Sequence, residues 1–168
     1  MKEIEHDMRY MEERDLDPLM QWISEPSMRD FYLSTTEEEI ERFSQICVSY
    51  GKYRAALTAY VIQDGKEIPV GVGALFLMPY RKLIHQSTGY VAVDPKWSGN
   101  GIGTSLVRNL KHLAKVQFRQ ELLHFELVEG SPIIPILEKA GFKRLYRQDG
   151  FFKIGESFKA REMYEAEL

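Results

Sequence analysis

With 168 residues, 44% of them hydrophobic and 28% charged, the chain has the material for a single domain over residues 1–168 and is not a disordered composition. No apolar run reaches the ~18 residues of a membrane-spanning helix, and the formal charge of −3, from 22 Lys+Arg against 25 Asp+Glu, opposes a nucleic-acid binder that depends on surplus cations. The single cysteine, Cys47, excludes an intrachain disulfide framework and a cysteine-built zinc cage; with a charged N-terminal decapeptide instead of a secretory signal, it points to the reducing cytoplasm.

Met8–Glu12 reads as a short first strand. Asp17 then predicts a helix cap with Pro18 at the first helical position, Leu16, Leu19, Met20 and Ile23 at helical spacing, and Pro26 as the stop. Thr36 and Glu39 form a capping box for a second helix, whose apolar face is Ile40, Phe43 and Cys47 and whose end is signalled by Gly51. The loop between the two carries Met28, Phe31 and Tyr32. Strands follow at Ala55–Ile62 and Ile68–Met78, joined by an Asp64-Gly65 turn. In the second, Val70, Val72, Ala74 and Phe76 alternate with Gly71, Gly73, Leu75 and Leu77, so both faces are covered. Tyr90–Val93 is a strand, and Thr104 to Gln117 a helix with Leu106, Leu110, Leu113 and Ala114 on one face. Leu122–Val128 is the next strand. Ser131 caps a short helix opened by Pro132 and closed by Gly141, in which Pro135 removes an early hydrogen bond. Phe142–Glu167 makes two strands around Gly155-Glu156. The order describes a mixed α/β domain.

The most informative stretch is Gly89–Thr104, GYVAVDPKWSGNGIGT, a strand running through a glycine turn into an amphipathic helix. Residues without side chains bring the backbone close to a bulky ligand, and successive amides at a helix start attract an anion without any lysine. A tight turn that binds nothing uses the same glycines, so the pattern alone leaves both readings open. A P-loop needs a lysine where Gly103 is followed by Thr104. A dinucleotide fold needs the turn early in a parallel repeat, whereas here it follows three strands of an apparent antiparallel meander.

VAVDPKWSGNGIGTSLV resembles the acyl-CoA-binding motif of the Gcn5-related N-acetyltransferases, and ILEKAGF resembles that family's later helix ending in Gly-Phe. The element order over nearly the whole chain is similar as well. The resemblance implies a mixed, mostly antiparallel sheet of about seven strands flanked by about four helices. It also implies acetyl-CoA as co-substrate, held in a gap between splayed fourth and fifth strands, with no metal. Carried over, the backbone of Val91, Ala92 and Val93 takes the pantetheine arm and polarises the thioester. Ser98, Gly99, Asn100, Gly101, Ile102, Gly103 and Thr104 surround the pyrophosphate. Lys96 and Arg108 add longer-range attraction.

The sequence departs from the family where protons move. Ser98 stands where Gln or Arg usually opens the motif, Leu137 where many members carry a tyrosine acid, Gly130 where an asparagine is common, and Ser87 near the position of a strand carboxylate. An amine nucleophile must lose a proton, since a lysine-like amine titrates near about 10.4. His85, His124 and Glu126 are the candidate groups, with Glu129 nearby. His124 and Glu126 share a strand face, so the carboxylate can orient the imidazole or the two can be an ordinary exposed pair; His85 is equally a loop histidine. Tyr90 and Tyr146 are alternative acids or packing residues. Trp22, Met28, Phe31 and Tyr32 either wall an acceptor site or pack the helices. Lys143, Arg144 and Arg147 read as a solvated strand face, Cys47 as core, and the four histidines, His6, His85, His112 and His124, show no metal-ligand spacing.

The expected activity is N-acetyl transfer from acetyl-CoA directly to a primary amine of a small molecule or peptide. The alternative is an acyl-CoA-binding sensor with little turnover. No nucleic acid or membrane partner is expected, and the chain is a monomer or homodimer.

Overall fold

The structure, a computed structural model, describes residues 4–48, 51 and 53–168. Its strands are β1 (Asp7–Tyr10), β2 (Arg54–Gln63), β3 (Lys66–Leu77), β4 (Gln86–Val93), β5 (Leu122–Val128), β6 (Lys143–Ile154) and β7 (Ser157–Glu167). They form one seven-stranded sheet in the order β1-β2-β3-β4-β5-β7-β6. All neighbours are antiparallel except β4 and β5. The helices are α1 (Leu16–Ser24), α2 (Glu37–Val48), α3 (Ile102–His112) and α4 (Ile134–Lys139). The element order agrees with the sequence reading.

Two apolar cores sandwich the sheet. On one face, Leu19, Trp22 and Ile23 of α1 and Ile40 and Cys47 of α2 pack on Ala56, Val72, Ala74 and Ala92. On the other, Ile102, Leu106 and Leu110 of α3 pack with Leu75, Val91, Phe125 and Leu137. The contact of α3 is close because β3 is bare beneath it. A Cβ on Gly71 would lie 3.0 Å from Leu106 Cδ1, and one on Gly73 3.1 Å from Leu110 Cδ1. These glycines let the helix down onto the sheet and fix where its N-terminus points. Val70, beside the register shift opposite Ala59 and Tyr60, joins the α3-side core rather than lying with Val72.

Several boundaries shift for physical reasons. The first helix starts at Leu16, running straight on from a 3-10 turn over Glu13–Asp15 in whose capping box the Asp15 carboxylate accepts the Glu12 N–H at 2.9 Å. Pro18 therefore falls inside the first turn, where no intrahelical donor is lost. Asp15 is 1% exposed, bound by the two terminal Arg9 guanidinium nitrogens at 2.6 and 2.9 Å and by the Thr58 hydroxyl at 2.8 Å. Burial pushes its carboxyl up, but the Arg9, Glu12 and Thr58 hydrogen bonds outweigh burial and hold it below the ordinary value. This strap ties β1 to β2.

The Thr36–Glu39 capping box forms, with Glu39 N–H on Thr36 Oγ1 and Thr36 N–H on Glu39 Oε2. The stop expected at Gly51 turns on residues 49–50, which lie outside the described residues. The helix expected from Thr104 to Gln117 begins earlier, at Ile102, and finishes in a π-helical turn over Leu113–Gln117. The last helix begins at Ile134 rather than Pro132, so Pro135 sits in its first turn and costs no internal bond. It closes as expected at Gly141, φ +86°: Gly141 N–H bonds to Glu138 O and Phe142 N–H to Leu137 O, a Schellman ending. Lys143, Arg144 and Arg147 of β6 are exposed, as expected, and Arg147 in addition binds Glu129, Asp149 and Glu162 at 2.6 to 2.8 Å.

Candidate active site

The sheet opens where β4 and β5 should continue side by side. Their parallel pairing covers only Gln86–Leu122, Ser87–Leu123 and Thr88–His124. Directly beyond, β4 has Gly89 and β5 has Phe125. A Cβ on Gly89 would lie 2.3 Å from the Phe125 ring, so the ring occupies the space a side chain would need. It is 1% exposed and meets Phe142 edge-on at 5.4 Å. The aromatic wedge sits at the point where the two strands diverge.

Main-chain polar groups are left facing the opening. Asp94 N–H donates to Val70 O at 3.0 Å, so even-numbered β4 residues turn toward β3, and Gly89, Val91 and Val93 turn toward the gap. On the other wall Glu129 N–H donates to Ala160 O. By the same alternation Glu126 and Val128 present their amides and carbonyls to the gap.

A turn built by glycines caps the opening. Asp94 accepts the Lys96 N–H at 2.9 Å and starts a 3-10 turn over Pro95–Trp97. Gly99 has φ +80°, and Gly101, the N-cap of α3, has φ +84°. Ser98 N–H bonds to Pro95 O and Ser105 N–H to Gly101 O, while the six amides of residues 99–104 have no protein partner among the described residues. They sit at the positive end of an 11-residue helix. A Cβ on Gly103 would lie 2.8 Å from Ile136 Cδ1, so α3 and α4 meet over bare backbone. The Asn100 side chain donates to Trp97 O and Ser98 O and braces the turn from within.

The gap, the turn and the loop before α2 enclose a cleft of about 320 Å³. Val91, Val93, Ser98, Gly99, Gly101, Ile102, Gly103 and Thr104 line it. Ala92 does not: its polar backbone turns to β3 and its side chain is buried against the α1 and α2 core. Asn100 also stays outside the lining.

Glu126 is the carboxylate on the wall, 3.7 Å from Arg161. Arg161 is itself stacked on Phe151 at 4.1 Å and Tyr146 at 5.4 Å. His124 lies on the same strand face, but the carboxylate beside it is Glu165, 3.4 Å from Nδ1; its Nε2 is buried without a partner. His85 precedes β4 at the paired end of the strands, where its carbonyl accepts the Glu121 and Leu122 N–H groups, and it does not line the cleft. Glu129 is committed to Arg147 and the Ala160 N–H, which hold its carboxyl below the ordinary value.

Leu137 is fully buried in the α3-side core, and the Ser87 hydroxyl is turned onto Leu122 O at 3.3 Å. Burial raises the Cys47 thiol to about 12, which suits core rather than nucleophile.

The aromatic cluster divides. Met28, Phe31 and Tyr32 line the cleft, whereas Trp22 is core. Tyr90 lines it too, 5.5 Å from the Tyr32 ring and 4.4 Å from Phe43; burial raises its phenol well above the ordinary value. Tyr146 lies instead against Arg161. Sequence reasoning missed Ser131, Ile136 and Lys139 as lining residues. They follow the C-terminal end of β5, and ligands of α/β sheets gather outside such strand ends.

A family model described as an acetyltransferase (GNAT) domain matches residues 55–151, more than half the chain. Among solved structures, a GCN5-related N-acetyltransferase from Kribbella flavida superposes with a TM-score of 0.81 at 15% identity, covering 97% of this chain and 98% of that one. A GNAT-family acetyltransferase from Streptococcus pneumoniae gives 0.77 at 19%, covering 98% and 100%. A spermidine N-acetyltransferase from Vibrio cholerae, solved with CoA and spermine, gives 0.78 at 12%, covering 96% and 95%. At these identities the structures speak for the fold. No curated protein matches the sequence.

Proposed function

This chain belongs to the GNAT acetyltransferase family, and on that premise we propose that it transfers an acetyl group from acetyl-CoA directly to a primary amine. One observation carries the reading: the amides of Gly99, Gly101, Ile102, Gly103 and Thr104, without a protein partner among the described residues, and the facing unpaired edges of β4 and β5 meet in one cleft. The first fits a pyrophosphate, the second an amide-bearing extended arm such as pantetheine. The similar Vibrio cholerae enzyme is solved with CoA.

Acetyl-CoA supplies the activated acetyl thioester. The chain's residues bind and orient it. Residues 99–104 cradle the diphosphate through main-chain N–H groups, with the Ser98 and Thr104 hydroxyls beside them. Gly89, Val91 and Val93 bond the arm along β4, and an amide there stabilises negative charge on the acetyl oxygen. Glu126 faces the incoming amine and accepts its proton, directly or through water. His124, two residues away on the same strand face, is held by Glu165 with its Nε2 buried, and the proton route from Glu126 does not need it. A thiol titrating near about 8.5 leaves readily as the thiolate, so the lack of a tyrosine at Leu137 does not stop the reaction. His85 is too far down the paired strands to take part.

Calorimetry with acetyl-CoA, beside CoA-thiol release over a set of primary amines, tests this. Binding together with turnover is the expected result. Binding with no turnover on any amine replaces it with the sensor reading, which the buried Leu137 favours. No binding overturns both.

A further inference from the structure

We infer that the acceptor is a primary amine carrying a single positive charge on an aromatic or bulky apolar body, rather than a polyamine or an amino acid. The inference rests on the acetyl-transfer reading and concerns the other half of the same cleft.

Among the described residues, two charged side chains, Glu126 and Lys139, line the cleft. Lys139 belongs to α4, on the α3 side of the sheet. Glu126 projects from the opposite face of β5, toward the loop that precedes α2. There the wall is Met28, Phe31, Tyr32, Leu33 and Tyr90. Tyr90 continues into a run of rings through Phe43, which lies 6.1 Å from Phe76. Phe31 is held from outside by Lys159, whose ammonium sits 5.0 Å over its ring.

One ammonium can pair with Glu126 and gain further from the aromatic faces around it. A second or third cation on the same molecule finds no further carboxylate among the described residues that line the cleft, and aromatic faces repay less of its lost hydration than a carboxylate does. A polyamine therefore finds one partner where it needs several. An α-amino acid places its carboxylate beside that of Glu126. The nearby guanidinium, Arg161, is already shared among Glu126, Gln148 and two rings, outside the cleft lining. An apolar body displaces water from the rings and gains in proportion to the area buried. Flexible Met28 adapts its shape to the body.

The test is a comparison of kcat/KM by CoA-thiol release for phenethylamine, tryptamine, hexylamine, spermidine and phenylalanine, with acetyl-CoA binding measured by calorimetry on the same preparation. The aromatic and hexyl monoamines are expected to exceed spermidine and phenylalanine by about tenfold or more, the equivalent of one unpaired charge costing about 1.4 kcal/mol. Phe31→Ala should raise KM for phenethylamine about fivefold and leave the acetyl-CoA Kd unchanged, as expected for a lost aromatic contact. Phe31→Leu, which keeps an apolar body in the same loop, should recover most of that loss. Spermidine or phenylalanine turning over as well as the monoamines overturns the inference while leaving acetyl transfer intact. Acetyl-CoA binding with no turnover on any of the five also overturns it, and absence of acetyl-CoA binding overturns the underlying reading with it.

Discussion

The two halves of the cleft are made of different material. The half that faces the glycine turn is main chain: amides of residues 99–104 and the odd-numbered positions of β4. The half that faces the α1–α2 loop is side chain: one carboxylate, two tyrosines, a phenylalanine, a leucine and a methionine. A main-chain site recognises what any relative must bind and survives wide substitution, provided the glycines remain. A side-chain site is set residue by residue, so a single substitution there can change which acceptor fits.

The sharpest way to expose that contrast is Glu126→Gln. It should lower kcat/KM for the best amine about 1000-fold, within the range of a lost general base, while the acetyl-CoA Kd stays within about twofold. Equal losses in both would mean that the halves are not separate.

A side-chain construction elsewhere sets the scale for stability. Asp15→Ala leaves Arg9 half-buried without its main partner and should cost about 3 kcal/mol in urea unfolding. Because the Asp15 carboxyl is held below its ordinary value, its contribution is complete above the unfolded value of about 3.9 and is lost as pH falls through the lower folded value. The variant should therefore show a flatter acid limb of Tm against pH than the parent. A parallel limb would mean that other carboxylates set the acid response.

Gly101→Glu attacks the main-chain half. A carboxylate enters the amide cradle at a residue whose φ of +84° disfavours any side chain. Acetyl-CoA affinity should fall about 100-fold by calorimetry, equivalent to roughly 2.7 kcal/mol. Unchanged affinity would move the phosphate site elsewhere. The smallest effects should come from Ser98→Ala and Asn100→Ala, each within about threefold of the parent Kd, since a neutral hydrogen bond nets about 0.5 kcal/mol or a little more. Larger losses would show that side chains matter in the half assigned to backbone.

Local patterning carried most of the architecture. β5 is bounded in the structure as the alternation of Leu122–Val128 indicates, and the Thr36–Glu39 box and the Gly141 stop both form. These features are written within a few residues of one another. The first half of β4 was not legible, because Gln86, Ser87 and Thr88 lack an apolar alternation and become strand only through pairing with β3 and β5. The early start of α1 follows the 3-10 turn over Glu13–Asp15 that runs into it, whereas Asp17-Pro18 gave the more familiar local signal. In the site, the glycine turn was readable because it is contiguous. The partners of His124 and Glu126 were not: Glu165 and Arg161 reach them from β7, by a register that no local pattern states. Lys139 and Ser131 belong to the cleft only because α4 packs over Gly103.

The Phe125 wedge has a kinetic consequence. Had Gly89 carried a side chain and the two strands zipped to their ends, acetyl-CoA would have to wait for hydrogen bonds to break, and its capture would level off at the rate of that opening. The Phe125 ring lodged against Gly89 holds the strands apart by its own bulk. For the proposed binding of acetyl-CoA in this slot, encounter alone should then govern capture, and the rate observed by stopped flow should climb in proportion to ligand concentration without a plateau.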